Sequence, residues 1–427
     1  MPGKVSMPNL RVRSLPDNML VERRKTQMRM PLEGIRVLDL TQHAFGPRAA
    51  AYLAEMGAEV IKIENAAGGD PARGEDRLKG IPIGRYNAYF EQSNRGKRSI
   101  AMDLRNDKAR QVAYKLVESS DVFVTNLRVA GLERMGMDYA TLSSVNPGLI
   151  YAIGTGWGLR GPARNRGAFE ATGFAACGLA SSFVERDYCP PQCPPAAGDY
   201  TASTFLAYGI MLALFHRERT GEGQMVHASL LGSLITVASC CIDICLVSGQ
   251  DIFGWPHESE NAVYNCYQTR DKRWIQVALV QDERTWLEFC EAMGIEHLKD
   301  DPRFNTAEAR RDNNAALISV FDEVFLTRDQ SEWIERLDRY DFPWAPVKHL
   351  AELASDPQLL ENDYIVSLDD PEVGEVKVSG VTVELSRTPG KIASKAPEMG
   401  QHTEEILLEL GYNWDDIAAM KEEGAVI

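Results

Sequence analysis

GIRVLDLTQHAFGPRAAAYLAEMGAEVIKIE, residues 34–64, is the stretch that decides the fold. Residues 34–40 are apolar almost without interruption, the pattern of a strand buried on both faces of a parallel sheet. TQHAFG, residues 41–46, has no apolar period and reads as a loop. Pro47 suits the first helical position, where its missing N–H costs nothing. The helix it opens should stop at Gly57, a residue fitted to the left-handed position after a helix. EVIKIE, residues 59–64, reads as a second strand, which completes a βαβ unit.

The same alternation continues outward. Residues 99–102 read as a short strand and 106–120 as an amphipathic helix, with Ala109, Val112, Ala113, Leu116 and Val117 on one stripe. Strands are expected at 121–126 and 149–156, with a short helix around 132–135 between them. This is the pattern of an α/β domain whose parallel sheet is covered on both faces, with ligands beyond the carboxyl ends of its strands. After about residue 225 the texture changes. NAVYNCYQTRDKRWIQVAL, residues 261–279, reads as a hairpin turning at Asp271-Lys272, and helices are expected at 283–293 and 314–325. A smaller α+β domain follows from these, left near Trp344-Ala345-Pro346-Val347. A β-rich stretch at 364–385 and a last helix at 403–410, stopped by Gly411, close the chain. The expected organisation is an N-terminal arm at 1–30, a first part of the large domain at 31–225, a linker helix and small domain at 226–340, and a return to the large domain at 341–427.

Composition narrows the function. At 44% hydrophobic residues the chain can fill real cores. A net charge of -15 disfavours nucleic acid as a partner. The first thirty residues run the other way, with seven Lys/Arg against Asp17 and Glu22, and read as a surface arm. The apolar run at 228–249 is broken by Ser229, Ser233 and Asp243, so a buried helix is expected there and no membrane span. The eight cysteines include no C-x2-C frame, and no histidine follows at zinc-finger spacing. Reduced thiols, no metal and a cytoplasmic location are the expectation.

Neither a Walker glycine-lysine motif nor a G-x-G-x-x-G after a strand is present. GTGWGLRG, residues 154–161, is glycine-rich after a strand and either lets a ligand approach the backbone or simply bends. Asp199 follows two prolines and a glycine and precedes a long apolar helix, the setting of an N-cap. Backbone donors and the helix dipole would hold such a carboxylate ionised, and a pinned carboxylate is a usable nucleophile. Glu170 lies after the glycine-rich loop. Arg98, Arg105, Arg128 and Arg134 fall near strand ends or the turns after them, in place to meet phosphates or merely solvated.

Six segments together carry a resemblance: residues 31–64; NRGKRSIAMDL at 94–104; DVFVTNLRVAGLERMG at 121–136; NPGLIYAIGTGWGLRGP at 146–162; GDYTASTFLAYGIMLALFHRERTGEGQMVHASL at 198–230; and APEMGQHTEEILLELGY at 396–412. In order and spacing they are similar to the class III CoA-transferases, the group of formyl-CoA transferase, carnitine CoA-transferase and the 2-methylacyl-CoA racemases. The resemblance spans residues 31–427.

It implies a Rossmann-like large domain with a parallel sheet built from both chain ends, a small domain, and an interlocked dimer, either a homodimer or a heterodimer with a paralogous chain. It implies no permanently bound cofactor; a coenzyme A thioester is substrate, and CoA passes from an acyl-CoA to a carboxylic acid. Gly198-Asp199 matches the family's catalytic pair, so Asp199 would attack the thioester and carry the acyl group as a mixed anhydride, with backbone N–H groups near the first loop stabilising the oxyanion. Glu170 resembles the acidic residue the transferases place near the site. Asn126, Leu127, Arg134, Met135 and Gly167 match positions along the CoA channel, and Arg105 stands where a family lysine meets the nucleotide. Ala44 replaces a glutamine of the formyl-CoA enzyme, and residues 255–275 lack its glycine run, which argues against formate and oxalate. The racemases carry a histidine where this chain has Phe169, which exchanges no proton. The alternatives are that racemase chemistry and a non-catalytic subunit supporting an active paralogue. Small residues around Glu170, among them Gly167, Ala168, Ala171 and Gly173, leave room for a bulky acyl chain, and succinyl-CoA is one donor the reading admits.

Overall fold

The structure, a computed structural model, describes residues 30–254, 256–259, 261–279 and 283–427. All but the last residue of the expected N-terminal arm lies outside the described residues. The large domain is a six-stranded, all-parallel sheet of β1 (Arg36–Leu40), β2 (Glu59–Asn65), β3 (Lys97–Met102), β4 (Val122–Thr125), β5 (Ile150–Thr155) and β6 (Gln224–Ser229). Their spatial order is β3-β2-β1-β4-β5-β6, the doubly wound arrangement whose direction reverses between β1 and β4. Alternate residues point to opposite faces, and both faces are apolar. Leu38, Ile61, Ile100, Phe123 and Tyr151 fill one core, while Val37, Val60, Val122 and Ala152 fill the other.

The first core is covered by α3 (Asp107–Glu118) and by two helices from the far end of the chain, α11 (Thr403–Glu409) and α12 (Trp414–Glu422). Val426 then bridges Met102 at the sheet edge, so both chain ends build this domain. α12 lies beyond the helix expected to be last. Its signal is Asn413, whose side chain accepts from Asp415 N and Asp416 N at 2.9 and 3.0 Å. The second core is covered by α1 (Phe45–Glu55) and by α6 (Ala197–Thr220). α1 begins two residues earlier than expected, with Pro47 third in its first turn, where a missing N–H is equally harmless. Gly57 follows α1 at φ +98°, as expected.

The small domain is a three-stranded antiparallel sheet of β7 (Cys266–Gln268), β8 (Trp274–Val277) and β9 (Trp344–Pro346). Against it pack α8 (Glu283–Met293), α9 (Asn314–Phe325) and α10 (Gln330–Leu337), around Tyr267, Trp286, Phe289, Phe321, Phe325 and Trp333. The hairpin turns at Asp271-Lys272, with Lys272 at φ 63°. Two boundaries differ from expectation: β6 runs through residue 225, and β9 keeps the chain in the small domain past residue 340. The return segment then forms the hairpin of β10 (Ile365–Asp370) and β11 (Gly374–Ser379).

One expectation fails clearly. The apolar run after residue 228 forms helix α7 (Leu230–Ser248), but it is not buried: Ile235, Val237, Ile244, Leu246 and Val247 are exposed. One side of α7 packs on α6 and on α5 (Glu170–Ala176), and among the described residues the other side stays uncovered. By length and composition alone α7 is apolar enough to cross a membrane. α6 adds Phe205, Tyr208, Met211, Leu212 and Phe215 to the exposed apolar surface.

Candidate active site

Asp199 is the third residue of α6, inside its first turn, and is not the N-cap. The cap position belongs to Ala196, at φ 62°, and the capping is done from a distance. Glu170, first residue of α5, accepts from Ala196 N at 2.7 Å through one carboxylate oxygen and from Gly198 N at 3.0 Å through the other. Glu170 thus takes the donors that were expected to serve Asp199. Gly198 makes this possible, since a Cβ there would stand 3.1 Å from Glu170 Cβ.

The electrostatic result reverses the expectation of a pinned, ionised Asp199. Burial, then the negative charge of Glu170, pushes its carboxyl up to about 7. At neutral pH it therefore exchanges between acid and carboxylate, and the carboxylate it forms is poorly solvated. Glu170→Gln should lower the Asp199 carboxyl, because a neutral neighbour no longer opposes ionisation, and any acid limb of the kcat/KM profile that Asp199 sets should move to lower pH with it. An acid limb that stays near 7 would show that Glu170's charge plays no part.

Two further groups gather here. Burial and the charge of Asp199 hold the phenol of Tyr89 above its usual range. Tyr89 lies in α2 (Ala88–Asn94), which starts at Asn87, whose side chain accepts from Phe90 N. Nothing in the sequence marked Tyr89. The Cys193 thiol is raised by burial and by Glu170, which makes it a poor nucleophile. Phe169 is exposed, and its ring meets the His43 ring edge-on at 5.8 Å. His43 sits in the loop after β1, a stretch whose sequence reads as a connection only.

That loop runs along a cleft of about 320 Å³ at the carboxyl ends of β1, β2 and β3, beside the point where strand order reverses. Arg105, Leu127 and Met135 line the cleft. Asn126 does not line it. Its amide clamps the loop instead, accepting from Gln42 N at 2.9 Å and donating to Gln42 O at 2.7 Å. Gly46 lets α1 start against this loop, since a Cβ there would fall 2.5 Å from Thr41 Cγ2. Arg134, in α4 (Val129–Met135), is exposed next to Met135. Gly167 is exposed beside the Arg128 guanidinium, and its carbonyl accepts from Trp157 Nε1 at 3.1 Å. Arg105 pairs with Asp103 at 2.9 Å. Arg98 is no phosphate ligand: it lies at the amino end of β3 and is committed to Glu59, Glu405 and Glu409. All eight cysteines are unpaired.

Comparison with known proteins places this arrangement. Residues 32–403 match the model of CoA-transferase family III. The chain is 32% identical over 400 residues to a succinyl-CoA--D-citramalate CoA-transferase of Chloroflexus aurantiacus, covering 93% of this chain and 98% of that one. It is 30% identical over 407 residues to a (R)-2-hydroxy-4-methylpentanoate CoA-transferase of Clostridioides difficile, covering 93% and 100%. The crystal structure of a CAIB/BAIF family protein from Brucella suis superimposes with TM-score 0.79 at 28% identity, over 90% of this chain and all of that one. The chain belongs to CoA-transferase family III and is an enzyme that moves CoA between an acyl-CoA and a carboxylic acid.

Proposed function

We propose that Asp199 is the nucleophile and that the reaction passes through an aspartyl anhydride. The observation that carries this reading is a half-buried carboxyl, pushed up to about 7, whose helix N–H groups are occupied by Glu170. An Asp199 carboxylate oxygen attacks the thioester carbonyl, the C–S bond breaks, and CoA leaves as thiolate. Asp199 then holds the acyl group as a mixed anhydride. The thiolate attacks the aspartyl carbonyl, which releases the donor acid and leaves CoA on Asp199 as a thioester. The acceptor carboxylate attacks that thioester and forms a second anhydride, and the thiolate takes the new acyl group, which restores Asp199. Thioester is exchanged for thioester, so no ATP is consumed. The N–H groups of Phe45 and Gly46, the first two residues of α1, have no intrahelical acceptor and suit the oxyanion.

In this reading Glu170 sets the charge and position of Asp199, Arg105, Leu127 and Met135 hold CoA in the cleft they line, and the exposed Arg134 next to Met135 meets it from outside. Asn126 acts through the loop it clamps, and Gly167 lets the chain pass close to CoA. The exposed Phe169 beside small residues suits a branched or aromatic acid. The names of the two relatives, one for succinyl-CoA and one for a branched hydroxy acid, support succinyl-CoA as donor and a substituted acid as acceptor. Phe169 brings no titratable group where racemisation would need one.

The test is trapping. The enzyme is incubated with succinyl-CoA or cinnamoyl-CoA, then treated with hydroxylamine or borohydride, and its peptides are weighed by mass spectrometry. The modification is expected on the peptide that carries Asp199. Modification of Cys193 in its place would overturn the reading. The same donors, run against D-citramalate, glutarate, phenyllactate and 2-hydroxy-4-methylpentanoate, define the best substrate pair.

A further inference from the structure

Beneath the loop after β1, two lysines and two aspartates are sealed from solvent: Asp39, Lys62, Asp70 and Lys97 all have fully covered side chains. Lys97 Nζ donates to Asp39 Oδ2 at 2.7 Å, to Pro47 O at 2.8 Å and to Asn94 Oδ1 at 3.0 Å. Lys62 Nζ donates to Thr41 O at 3.0 Å and lies 2.9 Å from Asp70 Oδ2. Asp70 Oδ1 accepts from His43 N at 3.0 Å. The two ammonium groups therefore grip the start of the loop at Thr41 and the first turn of α1 at Pro47, and Asp70 holds the backbone between them. Burial, which would raise the carboxyl of Asp39, is overcome by Lys97 and Lys62, and it stays below the usual carboxylate range.

A buried ion pair is weak evidence for stability, because well-packed apolar side chains of similar volume often serve as well. Four such groups under one loop point to geometry as their use. The Lys97 end of the loop leads to the reacting carboxyl. The Ser203 hydroxyl, one turn beyond Asp199 on α6, lies 2.6 Å from Phe45 O and 2.7 Å from Asp199 O and donates to either. Lys97 and Ser203 thus reach two carbonyls in the first turn of α1, those of Pro47 and Phe45, one from the sheet and one from the helix that carries Asp199.

We propose that Lys97 is a positioning residue for acyl transfer: by holding Pro47 O and Asp39, it fixes the start of α1 against the first turn of α6. This rests on Asp199 as the nucleophile. Misplacement of reacting groups by about 1 Å can lower a rate by about a hundredfold without contact with the substrate.

Lys97→Met alone would leave Asp39 buried and unpaired, so the decisive variant is Lys97→Met paired with Asp39→Asn, which removes both charges together. It is assayed with the best substrate pair of the panel above, and its fold is checked by circular dichroism and thermal unfolding. The expected result is a folded enzyme whose kcat falls at least about tenfold while KM for the acyl-CoA stays within about twofold. Were charge balance the whole role of Lys97, the paired variant would keep wild-type kcat, and that result overturns the proposal. So does a rise in KM with kcat unchanged. If the pair does not fold, Lys97→Arg, which keeps both charges but replaces the compact ammonium on Pro47 O and Asp39 by a planar guanidinium, decides by the same split. Failure of the Asp199 assignment shows separately, as transfer retained by Asp199→Ala.

Discussion

Asp199→Ala and Asp199→Asn should lower CoA transfer by at least about a hundredfold, because covalent catalysis has no substitute nucleophile at that place. Both should fold. The same substitutions should stabilise the protein above neutral pH, and the sign follows from linkage. Burial and Glu170 raise the Asp199 carboxyl from 3.8 to about 7 in the folded chain. Between those two values the folded state binds more protons than the unfolded one, so stability falls as pH rises through the window. Above it, Asp199 is a half-buried anion beside another anion, a penalty of up to a few kcal/mol at about 1.36 kcal/mol per pKa unit. A neutral amide in its place carries none of that penalty. Unfolding midpoints at pH 4 and pH 8 read this directly: Asp199→Asn should gain on wild type at pH 8 and not at pH 4. Transfer retained within about tenfold of wild type would remove Asp199 from the chemistry. Equal midpoints at both pH values would show that its carboxyl is not destabilised in the fold.

That behaviour was hidden in the sequence for a physical reason. Gly198-Asp199 before a long helix reads correctly as a helix start, yet which carboxylate caps the helix depends on Glu170, 29 residues from Asp199 in sequence. Local pattern decides where a helix begins; the three-dimensional path decides which charge reaches its donors. Helices fixed by their own periodicity were legible to the residue, as α8 and α9 show. So was the βαβ unit, whose strands are apolar on both faces. β6 was missed because its residues pair only at the sheet edge and stay partly exposed. Nothing in the sequence marked Lys62 or Lys97 as buried, although each is fully covered beneath the loop. Apolarity of α7 was plain, but apolarity does not say who covers it.

We expect a second copy of the chain, or a paralogue of it, to cover α7. Leu246 and Val247 are 78% and 89% exposed in the single chain, and Phe205, Tyr208, Met211, Leu212 and Phe215 on α6 extend the same apolar character. Monomeric proteins rarely leave a continuous surface of this kind open to water. α7 is also the segment that leads out of the large domain, and the chain returns after β9 to add its C-terminal helices to the first core. A partner seated on α6 and α7 would therefore lie against the crossing between domains, and subunits linked there would separate only with substantial unfolding. Sedimentation of the purified chain at native, dilute conditions should show a species of twice 47.5 kDa that persists on dilution. A folded, active species at the single mass would refute this. Recovery in the membrane fraction would show that α7 meets lipid instead. If the chain alone is inactive and a co-expressed paralogue restores transfer, Asp199→Ala in this chain decides whose carboxylate reacts: activity lost places the chemistry here, and activity kept places it in the partner.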